Sequence, residues 1–226
     1  MLDTINFIPE DYTFTAGDPV IPRILHMIWV GDAARPAYVD QYIQQWKTLM
    51  PTWQIRLWTN TDISEDEFPA TIVAKLNACE KGAQKADIMR YFIIHKYGGV
   101  YLDTDVIPYR SLDPLIEWGK PVILCHDLPL TWQYISVGFF AAIPSAPLFE
   151  YACRLCETAT INTPDVHMHT GPRLLGEAVW NTKEPMQLLH CYYFYRNQVG
   201  QEQLNGSIVT HDFTGRFGSH FYAKMW

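Results

Sequence analysis

Short apolar runs alternate along this chain with stretches in which apolar residues have helical spacing. The apolar runs predict strands at residues 21–30, 54–59, 121–126, 134–143 and 188–195. Apolar residues that recur on one helix face predict helices at residues 36–50, 70–79, 147–158 and 171–180. Because strands and helices alternate, the pattern predicts an α/β fold with a mainly parallel sheet.

One further helix is predicted at residues 87–97, and it is apolar on every side except at Asp87, Arg90 and its last turn. A helix with this composition is normally buried. Gly98-Gly99 predicts its end, because glycine adopts positive φ without a steric cost. Residues 100–102 then form a short apolar run. The sequence therefore predicts a buried helix that turns directly back into a strand.

Two carboxylates follow that strand, at Asp103 and Asp105. Residues two apart in an extended chain share a face, so both carboxylates are predicted to point the same way. Ligands of open α/β sheets bind at the carboxyl ends of the strands. The pair therefore indicates a ligand site, and the alternative is a solvated strand end.

Asp87 and Arg90 also have two interpretations. They are three residues apart, which makes them neighbours on one helix face. Either they bind a ligand beside the two carboxylates, or they form a buried ion pair that only positions the helix.

Residues 86–107, which read ADIMRYFIIHKYGGVYLDTDVI, resemble the DXD-containing sugar transferases of glycosyltransferase family 32. That family includes fungal mannosyltransferases and bacterial surface-polysaccharide enzymes, and the glucosyltransferase domains of clostridial toxins are more distant relatives. Residues 21–29 resemble its opening strand, and residues 170–172 resemble its later loop. Residues 208–220 loosely resemble its closing histidine-rich segment.

The resemblance implies a GT-A fold, with a Rossmann-like, mainly parallel sheet flanked by helices. The sequence has no internal repeat and no linker, which predicts a single domain over residues 1–226. Residues 1–20 are polar and broken by Pro9, Gly17 and Pro19, which predicts an irregular N-terminal extension. The implied activity is retaining transfer of a hexose from a nucleotide-sugar to a glycan, glycolipid or protein acceptor, in bacterial surface polysaccharide or lipopolysaccharide synthesis. A UDP-sugar is the preferred donor and GDP-mannose the second, with Mn²⁺ or Mg²⁺ as the metal.

The same resemblance implies roles for individual residues. Asp105 would bind the metal directly, and Asp103 would span the metal and the donor's ribose. Asp87 and Arg90 would hold the hydroxyls of the donor sugar. Trp29, at the end of the first strand, would stack on the donor's base, and the alternative is a tryptophan of the core.

Two further assignments concern the later part of the chain. The family takes its final metal ligand from its C-terminal segment, where His211 is the preferred candidate ahead of His220. Gly171 begins a helix opened by Pro172, and the N-terminus of that helix would face an anionic group of the donor. His26, inside the first strand, is predicted to be a core histidine with satisfied hydrogen bonds.

Two other classes of protein, a metal-dependent phosphohydrolase and a carbohydrate-binding module, are alternatives to a sugar transferase. A metal-dependent phosphohydrolase would use the pair Asp103 and Asp105, but such enzymes usually carry a nucleophilic aspartate after the first strand. The first strand here ends in Ile-Trp-Val-Gly-Asp, and the phosphohydrolase is kept as an alternative. A carbohydrate-binding module would keep the aromatic residues and lose turnover, and intact Asp87 and Arg90 argue against such a loss.

The composition of the chain excludes several kinds of protein and partner. Of the 226 residues, 48% are hydrophobic and 18% charged, which indicates a globular rather than a disordered chain. The net charge of -7 argues against duplex nucleic acid as a partner. Five cysteines without a scaffold pattern predict buried or free thiols in a reducing compartment. The sequence shows neither a signal peptide nor a membrane span, so we expect a bacterial cytoplasmic enzyme, compatible with peripheral contact with a membrane.

Overall fold

The computed structural model describes residues 4–126, 135–165, 169–195 and 217–220. Its strands are β1 (Ile5–Ile8), β2 (Ile24–Ile28), β3 (Gln54–Trp58), β4 (Gly99–Leu102), β5 (Val106–Pro108), β6 (Val122–His126), β7 (Ile135–Ala142), β8 (Met186–Leu189) and β9 (Gly218–His220). Its helices are α1 (Ala37–Leu49), α2 (Ala70–Ala78), α3 (Gly82–Tyr97), α4 (Asp113–Ile116), α5 (Pro147–Thr158) and α6 (Pro172–Asn181).

Most of the described strands form one sheet, in the order β1-β8-β6-β7-β4-β2-β3. Its neighbours run parallel except at β7, which is antiparallel to both β4 and β6. β5 and β9 form a separate antiparallel pair. The predicted α/β fold with a mainly parallel sheet flanked by helices is therefore confirmed.

Both faces of the sheet are buried, which explains why its strands read as apolar runs. Leu25 and Met27 of β2 belong to a core cluster with Trp46 of α1. Ile28 of β2 lies on the opposite face, in a cluster that includes apolar residues of α3, α5 and α6. Alternate residues of one strand thus enter two separate cores, as the pleat of a strand requires.

His26 is a core histidine, as predicted. Its side chain is 1% exposed. Its Nδ1 accepts a hydrogen bond from Trp58 Nε1 at 3.1 Å, so Nε2 carries the proton and donates to the carbonyl of Gly98 at 3.0 Å. Burial lowers the pKa of His26 to about 4, which keeps the imidazole neutral.

The N-terminal segment departs from the prediction that residues 1–20 are irregular. Ile5–Ile8 form the edge strand β1, which pairs in parallel with β8. Four residues are too few to show a period, and in this strand only Ile8 is buried. The strand forms because it pairs with β8, which lies far away in the sequence. No pattern within residues 5–8 indicates this pairing.

Two other elements differ at their boundaries. α3 begins at Gly82 rather than at residue 87, because its first turn is mostly polar and carries no apolar period. The strand predicted at residues 188–195 is β8 at Met186–Leu189, followed by a short 3₁₀ turn at Cys191–Tyr193.

No helix in the described part of the chain is both long enough and apolar enough to cross a membrane. All five cysteines lie among the described residues, and all are buried without forming a disulfide. The prediction of buried or free thiols is therefore confirmed.

Candidate active site

The turn between α3 and β4 brings the two halves of the predicted site together. Gly98 and Gly99 have φ values of 62° and 92°, which side chains rarely adopt. A Cβ at Gly99 would also lie 2.5 Å from the carbonyl oxygen of Ile24. The predicted glycine stop is therefore confirmed, and it lets β4 start directly beside β2.

Asp103 and Asp105 converge on a histidine from the other end of the chain. β4 ends at Leu102, and residues 103–105 turn into β5, which pairs with β9. This pairing brings Nε2 of His220 to 2.8 Å from Asp105 Oδ1 and 3.4 Å from Asp103 Oδ2. Asp105 is only 6% exposed, which rules out a solvated strand end.

The three side chains have the chemistry and spacing of a metal site. Each offers one ligand atom, and these atoms all lie within 4.8 Å of one another. Two carboxylates and an imidazole can hold a divalent cation. His211, the preferred ligand from the sequence, lies outside the described residues, whereas its alternative His220 lies in the cluster.

Charge pairing dominates the electrostatics of this cluster. Burial lowers the pKa of His220, but its hydrogen bonds and charge interactions with Asp103 and Asp105 outweigh burial and raise that pKa to about 9. Burial raises the pKa of Asp103, yet Arg90 and His220 bring it below its usual value. Without a metal, an imidazolium thus balances part of the charge of the two carboxylates.

Asp87 and Arg90 form an ion pair beside the cluster. Arg90 Nη2 lies 2.9 Å from Asp87 Oδ1, and Asp87 Oδ2 accepts a hydrogen bond from the Thr170 hydroxyl at 3.2 Å. Arg90 Nη1 donates to the carbonyl of Val137 at 2.7 Å and lies 3.8 Å from Asp103 Oδ1. Arg90 therefore connects the helix pair to the first carboxylate of the cluster.

Tyr101 belongs to the site, although the sequence did not single it out. Its hydroxyl donates to Asp103 Oδ1 at 2.7 Å, and the guanidinium of Arg90 lies 4.7 Å from its ring centre. The signal was present, because Tyr101 is two residues before Asp103 and shares its face of the strand.

A pocket of about 250 Å³ opens beside these side chains. Its lining consists of residues 28–33, 80–82 and 103–105, together with Ala86, Arg90 and Tyr101. Lys81 and Arg90 contribute positive charge to this lining, which also contains the carboxylates of Asp32, Glu80, Asp103 and Asp105. An anionic ligand would therefore need a cation at the carboxylates as well as these two basic groups.

Of two residues predicted to bind the donor, Trp29 lines this pocket and Gly171 does not. Trp29 is partly exposed and lines the pocket, and its indole Nε1 donates to the carbonyl of Ala33 at 3.1 Å. It is therefore not a core tryptophan. Gly171 is buried at the start of α6, where its carbonyl accepts a hydrogen bond from Tyr91, and it is not among the lining residues.

The fold is of the GT-A type, which solved glycosyltransferases share. The chain shares its fold with a solved structure titled PaToxG Glycosyltransferase, at a TM-score of 0.55 and 16% identity over 71% of this chain and 69% of that one. A second solved structure is titled as a glycosyltransferase involved in the glycosylation of the major capsid of PBCV-1. Its TM-score is 0.51 at 13% identity, over 88% of this chain and 93% of that one.

Residues 36–120 match the family described as glycosyltransferase sugar-binding region containing DXD motif. Inositol phosphoceramide mannosyltransferase 1 of Schizosaccharomyces pombe is 31% identical over 165 residues, which cover 69% of this chain and 50% of that protein. An uncharacterized glycosyltransferase of Acanthamoeba polyphaga mimivirus is 24% identical over 71% of this chain and 65% of its own length. The predicted resemblance to DXD-containing sugar transferases is therefore confirmed.

The chain spans between 28% and 50% of the length of the three S. pombe mannosyltransferases that it matches.

Proposed function

We propose that this chain transfers a sugar from a nucleotide-sugar donor to a hydroxyl of an acceptor, with a divalent cation held at Asp103, Asp105 and His220. The observation that carries the proposal is the convergence of these three side chains, within 4.8 Å, at the edge of the pocket lined by Arg90 and Trp29. The match of residues 36–120 to a DXD sugar-binding region supports the same conclusion.

The residues at the site fit a divalent cation. Asp105 and His220 are almost fully buried and close together, and their partner Asp103 keeps part of its carboxylate exposed toward the pocket. The cation would be Mn²⁺ or Mg²⁺, which accept carboxylate oxygens together with phosphate oxygens. When bound, it would stabilise the negative charge of the departing nucleoside diphosphate.

The other side chains have roles in binding and orientation. Asp87 is not itself among the residues that line the pocket, but Arg90 and Thr170 hold its carboxylate, which would accept a hydrogen bond from a hydroxyl of the donor sugar. Arg90 brings a permanent positive charge to the pocket, because its pKa is raised despite burial by Tyr101, Asp87 and Asp103. Trp29 offers a partly exposed indole on which a base would stack.

The donor and the acceptor belong to the proposal as well. The relatives named inositol phosphoceramide mannosyltransferases make a mannosyl donor such as GDP-mannose the first to test. UDP-sugars, preferred from the sequence, come second. Retention of anomeric configuration, a hydroxyl acceptor on a glycan, glycolipid or protein, and a role in bacterial surface polysaccharide synthesis rest on family resemblance.

The test is a hydrolysis assay in which the chain is incubated with GDP-mannose, UDP-glucose and UDP-galactose, with Mn²⁺ or with a chelator. We expect release of nucleoside diphosphate from one donor, and only with the metal. Release of nucleoside monophosphate and sugar 1-phosphate instead would identify a phosphohydrolase. Binding of a nucleotide-sugar without any release, even with acceptors present, would identify a binding module.

A further inference from the structure

Strand β7 runs alongside Asp103 and holds it by its backbone. The Asp103 amide donates to the carbonyl of Gly138 at 2.9 Å. One residue earlier on β7, the carbonyl of Val137 accepts the hydrogen bond from Arg90. Two consecutive residues of β7 therefore bind the backbone of Asp103 and the side chain of Arg90.

Two oxygen atoms lie close to the position that a side chain at Gly138 would occupy. A Cβ at position 138 would lie 2.7 Å from Asp103 Oδ2 and 2.9 Å from the hydroxyl oxygen of Tyr195. Both distances are shorter than real Cβ contacts, so any side chain here would displace the carboxylate or the tyrosine. The space next to Gly138 is thus shared by Asp103 and Tyr195.

Tyr195 is itself held in place by Ser136. The Ser136 hydroxyl donates to the Tyr195 hydroxyl at 2.5 Å, and it accepts a hydrogen bond from the amide of Gly138 at 3.0 Å. Ser136 is 4% exposed and Tyr195 is 1% exposed. A hydrogen bond this deeply buried restricts the position of both groups.

The ring of Tyr195 reaches the histidine of the cluster. It packs edge-on against the His220 imidazole, with ring centroids 5.4 Å apart and an interplanar angle of 67°. The residue before it, Phe194, accepts a hydrogen bond from the backbone amide of His220 at 2.8 Å. Tyr195 therefore lies against His220 with its ring and beside Asp103 with its hydroxyl.

We propose that Ser136 and Tyr195 act as a pair of positioning residues that set the affinity of the site for its divalent cation. The pair orients two of the three side chains, His220 and Asp103, while neither residue belongs to the ligand set. Partners behind the ligands of a metal typically change its affinity by about 10–100-fold. This inference rests on the proposed function, because it requires that the cluster binds a metal.

The test measures the Kd of Mn²⁺ alone for the full chain, by calorimetry, in two variants and a matched control. Tyr195→Phe removes one oxygen, and Ser136→Ala removes its partner. Tyr193→Phe is the control, because its hydroxyl donates to the carbonyl of Pro9 at 2.9 Å, in the N-terminal segment. We expect Tyr195→Phe and Ser136→Ala each to weaken Mn²⁺ binding by about tenfold or more. We expect Tyr193→Phe to leave the Kd unchanged.

The double variant adds a second criterion. Because the two hydroxyls act through one hydrogen bond, Ser136→Ala with Tyr195→Phe should bind Mn²⁺ no more than about twofold more weakly than either single variant. Urea unfolding of each variant shows whether it is folded at the temperature of the titration. If Tyr195→Phe is unfolded, the smaller change Ser136→Ala decides the test alone.

The outcomes separate this inference from the proposed function. A wild-type chain that binds no Mn²⁺ would refute the metal site itself. Wild-type binding together with an unchanged Kd in folded Tyr195→Phe or Ser136→Ala would refute only the positioning role. Variants that lose stability but keep the wild-type Kd would assign the pair to folding alone.

Discussion

Arg90 and Asp87 form a buried ion pair one turn apart on α3, with Nη2 and Oδ1 separated by 2.9 Å. The pair is not isolated, because Arg90 also bonds the carbonyl of Val137 and lies 3.8 Å from Asp103. Arg90 therefore links α3, β7 and the carboxylate cluster. Through these contacts, Arg90 on α3 can affect the position of Asp103 at the end of β4.

The first prediction separates binding from folding at Asp87. Asp87→Asn keeps the shape of the side chain but loses its charge-assisted hydrogen bonds, each worth about 1.5–3 kcal/mol. We expect a folded protein that binds the nucleoside diphosphate normally and transfers sugar about 10–100-fold more slowly. Transfer rate, nucleotide affinity and melting temperature are measured together.

The matched control for this variant is Asp113→Asn. Asp113 is a partly buried carboxylate bonded to Trp53, Ser111 and Arg23, none of which lines the pocket. Asp87, in contrast, is paired with the pocket residue Arg90. Asp113→Asn should lower the free energy of unfolding without lowering the rate of sugar transfer. If Asp87→Asn instead keeps near-normal transfer and loses about 3–5 kcal/mol of unfolding free energy, Asp87 is structural.

The second prediction concerns Trp29. If its indole stacks on the base of the donor, Trp29→Ala should weaken binding of the free nucleoside diphosphate by about 1–3 kcal/mol. Trp180→Ala is the control, because Trp180 is 64% exposed on α6 and does not line the pocket. Calorimetric titration gives the affinities. An unchanged affinity in folded Trp29→Ala would remove Trp29 from the donor site.

The third prediction is a pH dependence of stability that originates at His26. The pKa of His26 is about 4 in the folded chain, below its ordinary value of 6.5. The unfolded chain therefore binds more protons between these values, and the stability falls as the pH falls through this window. The free energy of unfolding should decrease by up to roughly 3 kcal/mol from this group.

Urea denaturation at pH 7 and pH 5 checks the role of His26. His26→Gln does not titrate, so its unfolding free energy should change less between the two pH values than that of the wild type. His169→Gln, at an exposed histidine, should keep the wild-type difference. Equal losses in the wild type and His26→Gln would assign the pH dependence to other groups.

The features that were predictable from the sequence are local ones. One continuous segment contains the apolar helix, Gly98-Gly99 and the two carboxylates. These features were therefore predictable from short-range sequence patterns. Both carboxylates converge as predicted, although a turn rather than an extended strand brings them together.

The features that were not predictable depend on pairing between distant segments. His220 reaches the cluster because Val106 in β5 pairs with it in β9, and nothing near either residue in sequence signals this register. Edge strand β1 depends in the same way on β8. The contact of Ser136 with Tyr195 is also long-range, and a serine in an apolar strand carries no pattern of its own.

If Asp103, Asp105 and His220 hold the metal on which sugar transfer depends, Asp105→Asn should remove most of that transfer. The measurement is the rate of nucleoside diphosphate release from the preferred donor, in Mn²⁺ and in chelator, for the wild type, Asp105→Asn and the control Asp113→Asn. A Lewis-acid contribution of several kcal/mol corresponds to a rate loss of about 100-fold or more. We predict that loss in Asp105→Asn and in chelator, with near wild-type rates in Asp113→Asn. Full activity of the wild type in chelator, or of Asp105→Asn in Mn²⁺, would show that transfer does not depend on a metal at Asp105.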